Sequence, residues 1–327
     1  MYVVLSHASD IDGVGSAALL IRRYAIPLEN VFFTEYSDKS MAYAIGRVRR
    51  LAAKGITLFI TDLGISEQRE HVFEDLVSYI NKHGGRVLWF DHHVWSANAV
   101  RNIASMCEVA VVGENREFCA AEITRAMLGL SDKFALEFTR IVHYSDFNLR
   151  PRDRKTGDMV AMYALAIADY NALGTRSAID GKLRRLASVI SKGRLSDSTL
   201  EKDAKAFEEI SKRRVSFLLS HLYLGKNVAV AFAGEKVNAT HTCNQIAAIS
   251  KKKVVVLVDL FNGRGHLRTG YYDISGIARD MMGGGHPHAA GFTVDMKGYG
   301  GLRSERQKQR FVDMIDAQID RLRPHSG

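Results

Sequence analysis

Short apolar runs alternate with helical patterns over the first 150 residues. Runs at Tyr2–Ser6, Val31–Thr34, Thr57–Thr61, Val87–Phe90 and Val109–Val112 read as strands. Between and after them, Ser16–Tyr24, Met41–Lys54, Ser66–His83, Phe118–Leu128 and Asp132–Ser145 carry the spacing of amphipathic helices. Strands separated by helices predict β-α-β units and a largely parallel sheet, so the fold class is α/β. From Met159 to Leu224 the pattern is helical and charged, and we read it as a connector. A second αβ pattern follows, with strands at Val228–Ala233, Val254–Leu260, Gly265–Gly270 and Gly291–Val294 and helices at Thr242–Ser250, Ile274–Met282 and Ser304–Leu322. The predicted organisation is a parallel-sheet domain over 1–158, a helical connector over 159–225 and a smaller mixed-sheet domain over 226–327.

At 327 residues the chain is long enough for two domains, each with its own core. No apolar run approaches the roughly 20 residues that cross a bilayer, and Tyr2–Leu5 enters a strand without the charged start of a signal peptide. A cytoplasmic protein with no membrane partner is expected. Cys107, Cys119 and Cys243 are odd in number and widely spaced, which fits neither a disulfide framework nor a thiolate zinc site. The formal net charge of +9 suits a polyanionic partner, and the stretch Arg150–Gly225 concentrates it, with 15 Lys or Arg against 9 Asp or Glu.

The chemistry gathers at four places where an apolar run ends: His7-Ala8-Ser9-Asp10-Ile11-Asp12, Thr61-Asp62, Asp91-His92-His93 and His143-Tyr144-Ser145-Asp146. One Asp after a strand is ordinarily a helix cap. Parallel strands, however, bring their C-terminal ends to one side of a sheet, which would place five carboxylates and at least three imidazoles together. Such carboxylates repel unless cations intervene, and oxygen donors mixed with imidazole suit Mn²⁺, Mg²⁺ or Zn²⁺. This favours a two-metal hydrolase.

The Asp91-His92-His93 triplet after Leu88-Trp89-Phe90, with the other three acidic segments in the same order, resembles the DHH phosphoesterase superfamily. Gly283-Gly284-Gly285-His286-Pro287-His288-Ala289-Ala290-Gly291 resembles the glycine-rich His motif of the DHH-associated C-terminal domain, and Leu267-Arg268-Thr269 and Asp273-Ile274-Ser275 fit the same domain. The resemblance implies that His7, Asp10 and Asp62 hold one divalent ion and Asp12, Asp62, His92 and Asp146 a second. Asp62 is then the bridge, with Mn²⁺ the expected metal and Mg²⁺ or Co²⁺ as alternatives. It implies that His93 meets the substrate phosphate, that Asp91 orients the His pair, and that Arg268, Gly283, Gly284, Gly285 and His286 bind substrate.

Within the superfamily the two-domain size is most similar to the nanoRNase branch. That implies a phosphodiesterase degrading short RNA or DNA oligonucleotides to mononucleotides and acting also on nucleotide bisphosphates. A RecJ-like single-strand exonuclease, a cyclic dinucleotide phosphodiesterase and a catalytically silent nucleic-acid-binding scaffold are the alternatives. A second copy of the chain, forming a homodimer, is kept open as a partner. Asp10-Ile11-Asp12-Gly13 also resembles the first motif of haloacid dehalogenase-like phosphatases, a reading that leaves Asp91–His93 and the second domain unexplained.

Overall fold

The computed structural model describes residues 1–52, 55–112, 117–171, 175–234, 237, 239–260, 263–294 and 302–322. By contacts the chain divides into two compact units, residues 1–146 with 150–204, and residues 147–149 with 205–327. The stretch read as a connector is therefore shared out between them. Among the described residues no helix is long and apolar enough to cross a membrane.

The first unit runs β1 (Tyr2–His7), α1 (Ile11–Tyr24), β2 (Val31–Thr34), α2 (Asp38–Ala52), β3 (Thr57–Thr61), α3 (Glu70–Lys82), β4 (Arg86–Phe90), α4 (Ala97–Asn102), β5 (Val109–Val111), α5 (Ala120–Met127), α6 (Lys133–Asp146), α7 (Arg154–Asn171) and α8 (Arg176–Ser191). Its sheet is wholly parallel with strand order β2-β1-β3-β4-β5. Every residue of β2 and β3 is buried, as expected of strands covered on both faces. Val3, Leu5, Phe32, Leu58, Ile60, Val87 and Trp89 face α2 and α3, which contribute Met41, Ile45, Val48, Phe73, Leu76 and Val77 to the same core. The opposite face meets α1, which packs against α5, α6 and α8.

Two differences from the sequence reading have clear causes. Helix α1 begins at Ile11 and not at Ser16, because Asp10 caps it: Asp10 Oδ1 accepts from the backbone N–H of Asp12 and Gly13, each at 3.2 Å. Gly13 lies inside this helix and not in a turn. A Cβ there would fall 2.3 Å from the His7 carbonyl oxygen, so glycine lets the first turn press onto the end of β1. Second, α8 does not belong to a separate connector. Its Arg176 and Arg184 donate to the carbonyls of Phe33 (2.6 Å) and Val31 (2.7 Å), covering the exposed edge of β2. Lys54, the predicted end of the second helix, lies outside the described residues.

Helix α9 (Ser198–Leu219) carries the division between Ala204 and Lys205. The second unit continues with β6 (Tyr223–Leu224), β7 (Val228–Ala233), α10 (Ala239–Ser250), β8 (Val254–Asp259), β9 (Arg264–Thr269), α11 (Ser275–Asp280), β10 (Gly284–Gly285), β11 (Ala289–Thr293) and α12 (Glu305–Ile319). Its sheet has the order β10-β11-β9-β8-β7-β6 and is mixed, with only the β7–β8 pair parallel. Alternation along β8 divides its core: Val254, Val256 and Val258 pack with Phe311, Val312 and Ile315 of α12, while Val255 and Leu257 pack with Cys243 and Ile246 of α10.

Candidate metal centre

Three parallel strands and two helices deliver the acidic and imidazole side chains of the first unit. His7 ends β1, Asp10 and Asp12 lie at the start of α1, Asp62 follows β3, and Asp91, His92 and His93 follow β4. Asp146 arrives differently from the others: it is the last residue of α6 and not part of a loop after a strand. The β1 and β3 ends are tied by buried hydroxyls, with Thr61 Oγ1 and Ser6 Oγ at 2.7 Å and Ser6 Oγ donating to the Gly13 carbonyl at 2.7 Å. Asp62 has φ +54°, in the left-handed region that Asp tolerates better than most side chains but still at a cost of about 1 kcal/mol. Its N–H bonds to Phe90 O at 3.1 Å, which holds the turn against β4.

Two groups of side chains result. In one, His7 Nδ1 lies 3.1 Å from Asp10 Oδ2 and 3.4 Å from Asp62 Oδ2. In the other, His92 Nε2 lies 3.6 Å from Asp12 Oδ2, 3.5 Å from Asp62 Oδ1 and 3.6 Å from Asp146 Oδ2. Asp62 thus turns one carboxylate oxygen toward each group. Asp12 is fully buried and anchored by the N-terminus of α5, where the N–H groups of Ala121 and Ala120 reach its two oxygens at 2.7 and 2.8 Å.

The charges are strained against one another. Burial pushes the Asp12 carboxyl well up, and Asp62 and Asp146 add to it. Burial likewise moves Asp146 up to about 6, with Asp62 and Asp10 reinforcing and His92 opposing. Burial disfavours a charged His92, yet Asp146, Asp62 and Asp12 raise its pKa to about 11. His7 is raised against its own burial by Asp10 and Asp62. Four carboxylates packed this closely need positive charge among them, which is why they hold the His7 and His92 pKa values up. The donor set fits divalent cations better. Among the described residues, His7 Nδ1 and Asp62 Oδ2 are buried without a well-directed hydrogen-bond partner. Ligating atoms of His7, Asp10 and Asp62, and of Asp12, His92 and Asp146, lie within 4.8 Å of one another in each group. Carboxylate oxygen with imidazole nitrogen is the chemistry of Mn²⁺ or Mg²⁺ sites.

Asp91 is buried behind these groups. Its Oδ1 accepts from His93 Nδ1 at 2.7 Å and its Oδ2 from Trp95 Nε1 at 2.7 Å. His93 raises itself above the ordinary imidazole value against burial through that Asp91 bond. The sequence reading passed over Trp95, and also Tyr36, whose ring lies 5.2 Å from that of His7 and whose hydroxyl accepts from Gly64 N at 2.8 Å. It passed over the pairing of His143 Nδ1 with Glu122 Oε2 at 2.8 Å as well. Glu122 also caps α5 by accepting from Cys119 N, and Glu three residues after the cap position was the one signal available.

The remaining candidate residues lie in the second unit. Arg268 sits on the α10 side of β9, where its guanidinium donates to Thr240 Oγ1 (2.9 Å) and to the carbonyls of Leu267 (2.8 Å) and Ala290 (3.4 Å). The three glycines divide by role. A Cβ on Gly283 would meet Gly291 O at 2.0 Å, and Gly285 has φ +132° with Ala289 O 2.7 Å from its would-be Cβ, so these two serve the close β10–β11 pairing. Only beside Gly284 is the space open, and there a ligand has access to backbone. The His286 ring packs on Phe147 with centroids 5.0 Å apart.

Residues 225–321 match the DHHA1 domain family. No curated protein matches the chain. Among solved structures, an exopolyphosphatase-related protein from Bacteroides fragilis is similar at 13% identity and a TM-score of 0.57, with 98% of this chain and 93% of that one covered. The pGpG-specific phosphodiesterase PggH from Vibrio cholerae is similar at 15% identity and a TM-score of 0.55, over 97% of this chain and 99% of that one. The second unit therefore contains a DHHA1 domain, and the chain as a whole shares its fold with these two solved structures.

Proposed function

We propose that the chain is a metal-dependent phosphoesterase that hydrolyses phosphodiester bonds of short oligonucleotides, releasing mononucleotides. The observation that carries this reading is the pair of buried His–carboxylate groups that share Asp62, with ligating atoms close together in each. His7, Asp10 and Asp62 would hold one ion, and Asp12, Asp62, His92 and Asp146 the other. Bound there, two divalent cations, Mn²⁺ foremost, supply a water of lowered pKa and Lewis-acid stabilisation of phosphoryl charge. Asp62, in a left-handed turn, points one oxygen toward each group and would contribute to both sites. His93, steadied by Asp91, would donate to a phosphoryl oxygen. In the DHHA1 domain, Arg268, His286 and the open backbone at Gly284 are the groups suited to the remainder of a nucleotide.

A short substrate is supported by the similarity to a pGpG-specific phosphodiesterase, an enzyme whose named substrate is a dinucleotide. The test is kcat/KM with Mn²⁺ on end-labelled RNA of graded length. Higher values are expected on roughly two- to five-nucleotide RNA than on long strands, with a shallow salt dependence, since a long-strand enzyme loses affinity with a log–log slope of about −0.7 per contacted phosphate. Processive digestion of long strands with weak dinucleotide turnover would contradict the short-substrate reading and favour a RecJ-like activity encouraged by the +9 charge.

A further inference from the structure

The chain has two tryptophans, Trp89 just before and Trp95 just after the Asp91–His93 segment. Trp89 of β4 is fully buried and donates its indole N–H to the carbonyl of Leu63 at 3.1 Å, the residue directly after the left-handed Asp62. Trp95 is 5% exposed and donates its indole N–H to Asp91 Oδ2 at 2.7 Å, the oxygen that His93 does not use. The two rings meet edge-on at 4.6 Å between centroids and 73° between planes, and Trp89 in turn meets Phe73 edge-on at 5.1 Å.

The two segments also touch directly. A Cβ on Gly64 would lie 2.6 Å from His93 Cβ, so glycine is what lets the Asp62 turn close onto His93. Tyr36 OH holds the same turn by accepting from Gly64 N. Buried indoles usually find a hydrogen-bond partner, and that alone would be packing. Here the acceptors are the carbonyl that follows the shared carboxylate and the carboxylate that orients His93. Phenylalanine would keep an aromatic ring there but supply neither bond.

We propose that Trp89 and Trp95 are a coupled pair of positioning residues that fix Asp62 relative to His93, and that their fluorescence reports divalent-cation binding at the centre. The inference rests on the two-ion reading above. Mg²⁺ titrated into the wild-type chain, followed by calorimetry and by tryptophan emission, is expected to give one shared midpoint. Trp95→Phe is expected to lower kcat on a dinucleotide about tenfold, as befits a lost hydrogen bond to a buried carboxylate, with KM and ion stoichiometry held within about twofold. In a His93→Ala background the same substitution is expected to cost nothing further, because its effect passes through His93.

Equal kcat losses in both backgrounds, or emission that stays flat across a complete calorimetric titration, would overturn the positioning role. Absence of any calorimetric binding to the wild type would instead overturn the two-ion reading, and the reporter with it. The wild-type titration needs no variant and decides the matter if Trp95→Phe does not fold.

Discussion

Asp62 shows how much one residue can be asked to do. It leaves β3 with φ +54°, bonds its N–H to Phe90 and offers one oxygen to each His group. Asp62→Asn keeps a side chain that tolerates this backbone and relieves repulsion with Asp12 and Asp146. It should fold with an unchanged or raised Tm and lose turnover by about a thousandfold, because a neutral amide cannot bridge two cations. Arg268→Ala and His286→Ala should act differently. They should raise KM for oligonucleotides and leave hydrolysis of bis-p-nitrophenyl phosphate nearly intact, and equal losses on both substrates would contradict a gripping role. The acidic and His residues were readable in the sequence because their chemistry is unusual wherever it clusters. Trp95, Tyr36 and Glu122 were not, since each acts through a partner that only the folded chain brings near. Trp95 stands four residues beyond Asp91 among ordinary apolar positions.

At the scale of elements, periodicity located the five strands of the parallel sheet, because burial on both faces leaves a plain apolar run, and four strands of the mixed sheet, missing the two-residue β6 and β10. It failed where packing overrode local preference. The helix was predicted from Ser16, whereas α1 begins at Ile11 and takes in Gly13 and Gly15, whose lack of a side chain allows contact with His7 and with Phe138. The glycine triplet before His286 was visible, yet its division into two structural glycines and one open position depends on the β11 strand beside it. The charge of α8 was read as part of a basic connector suited to a polyanionic partner, whereas Arg176 and Arg184 close the edge of β2. Arg184→Ala should therefore lower stability by about 1–3 kcal/mol in urea denaturation while kcat/KM stays unchanged. A silent substitution would show that the Val31 carbonyl is equally well served by water.

For the whole molecule, the charge trapped in the first unit links stability to pH and to cations. Asp146, moved up to about 6, and His92, moved to about 11, both favour the fold when protonated. Stability from a raised group is full below its unfolded pKa and fades as pH rises through its folded value, so Asp146 loses its share between about pH 4 and 6 and His92 from about pH 6.5 upward. Asp10 and Asp91, which are lowered, contribute a constant amount throughout that upper range. Without cations, Tm should fall as pH rises from about 6 to 9, and saturating Mg²⁺ should raise Tm more at about pH 8 than at pH 6, since cations take the place of the departing protons. A larger cation effect at the lower pH would contradict this. The most direct test of the two-ion centre is anomalous scattering from crystals soaked in Mn²⁺. The account predicts two peaks about 3.5–4 Å apart, one among His7, Asp10 and Asp62 and one among Asp12, Asp62, His92 and Asp146. A single peak, or two peaks that do not share Asp62, would contradict it.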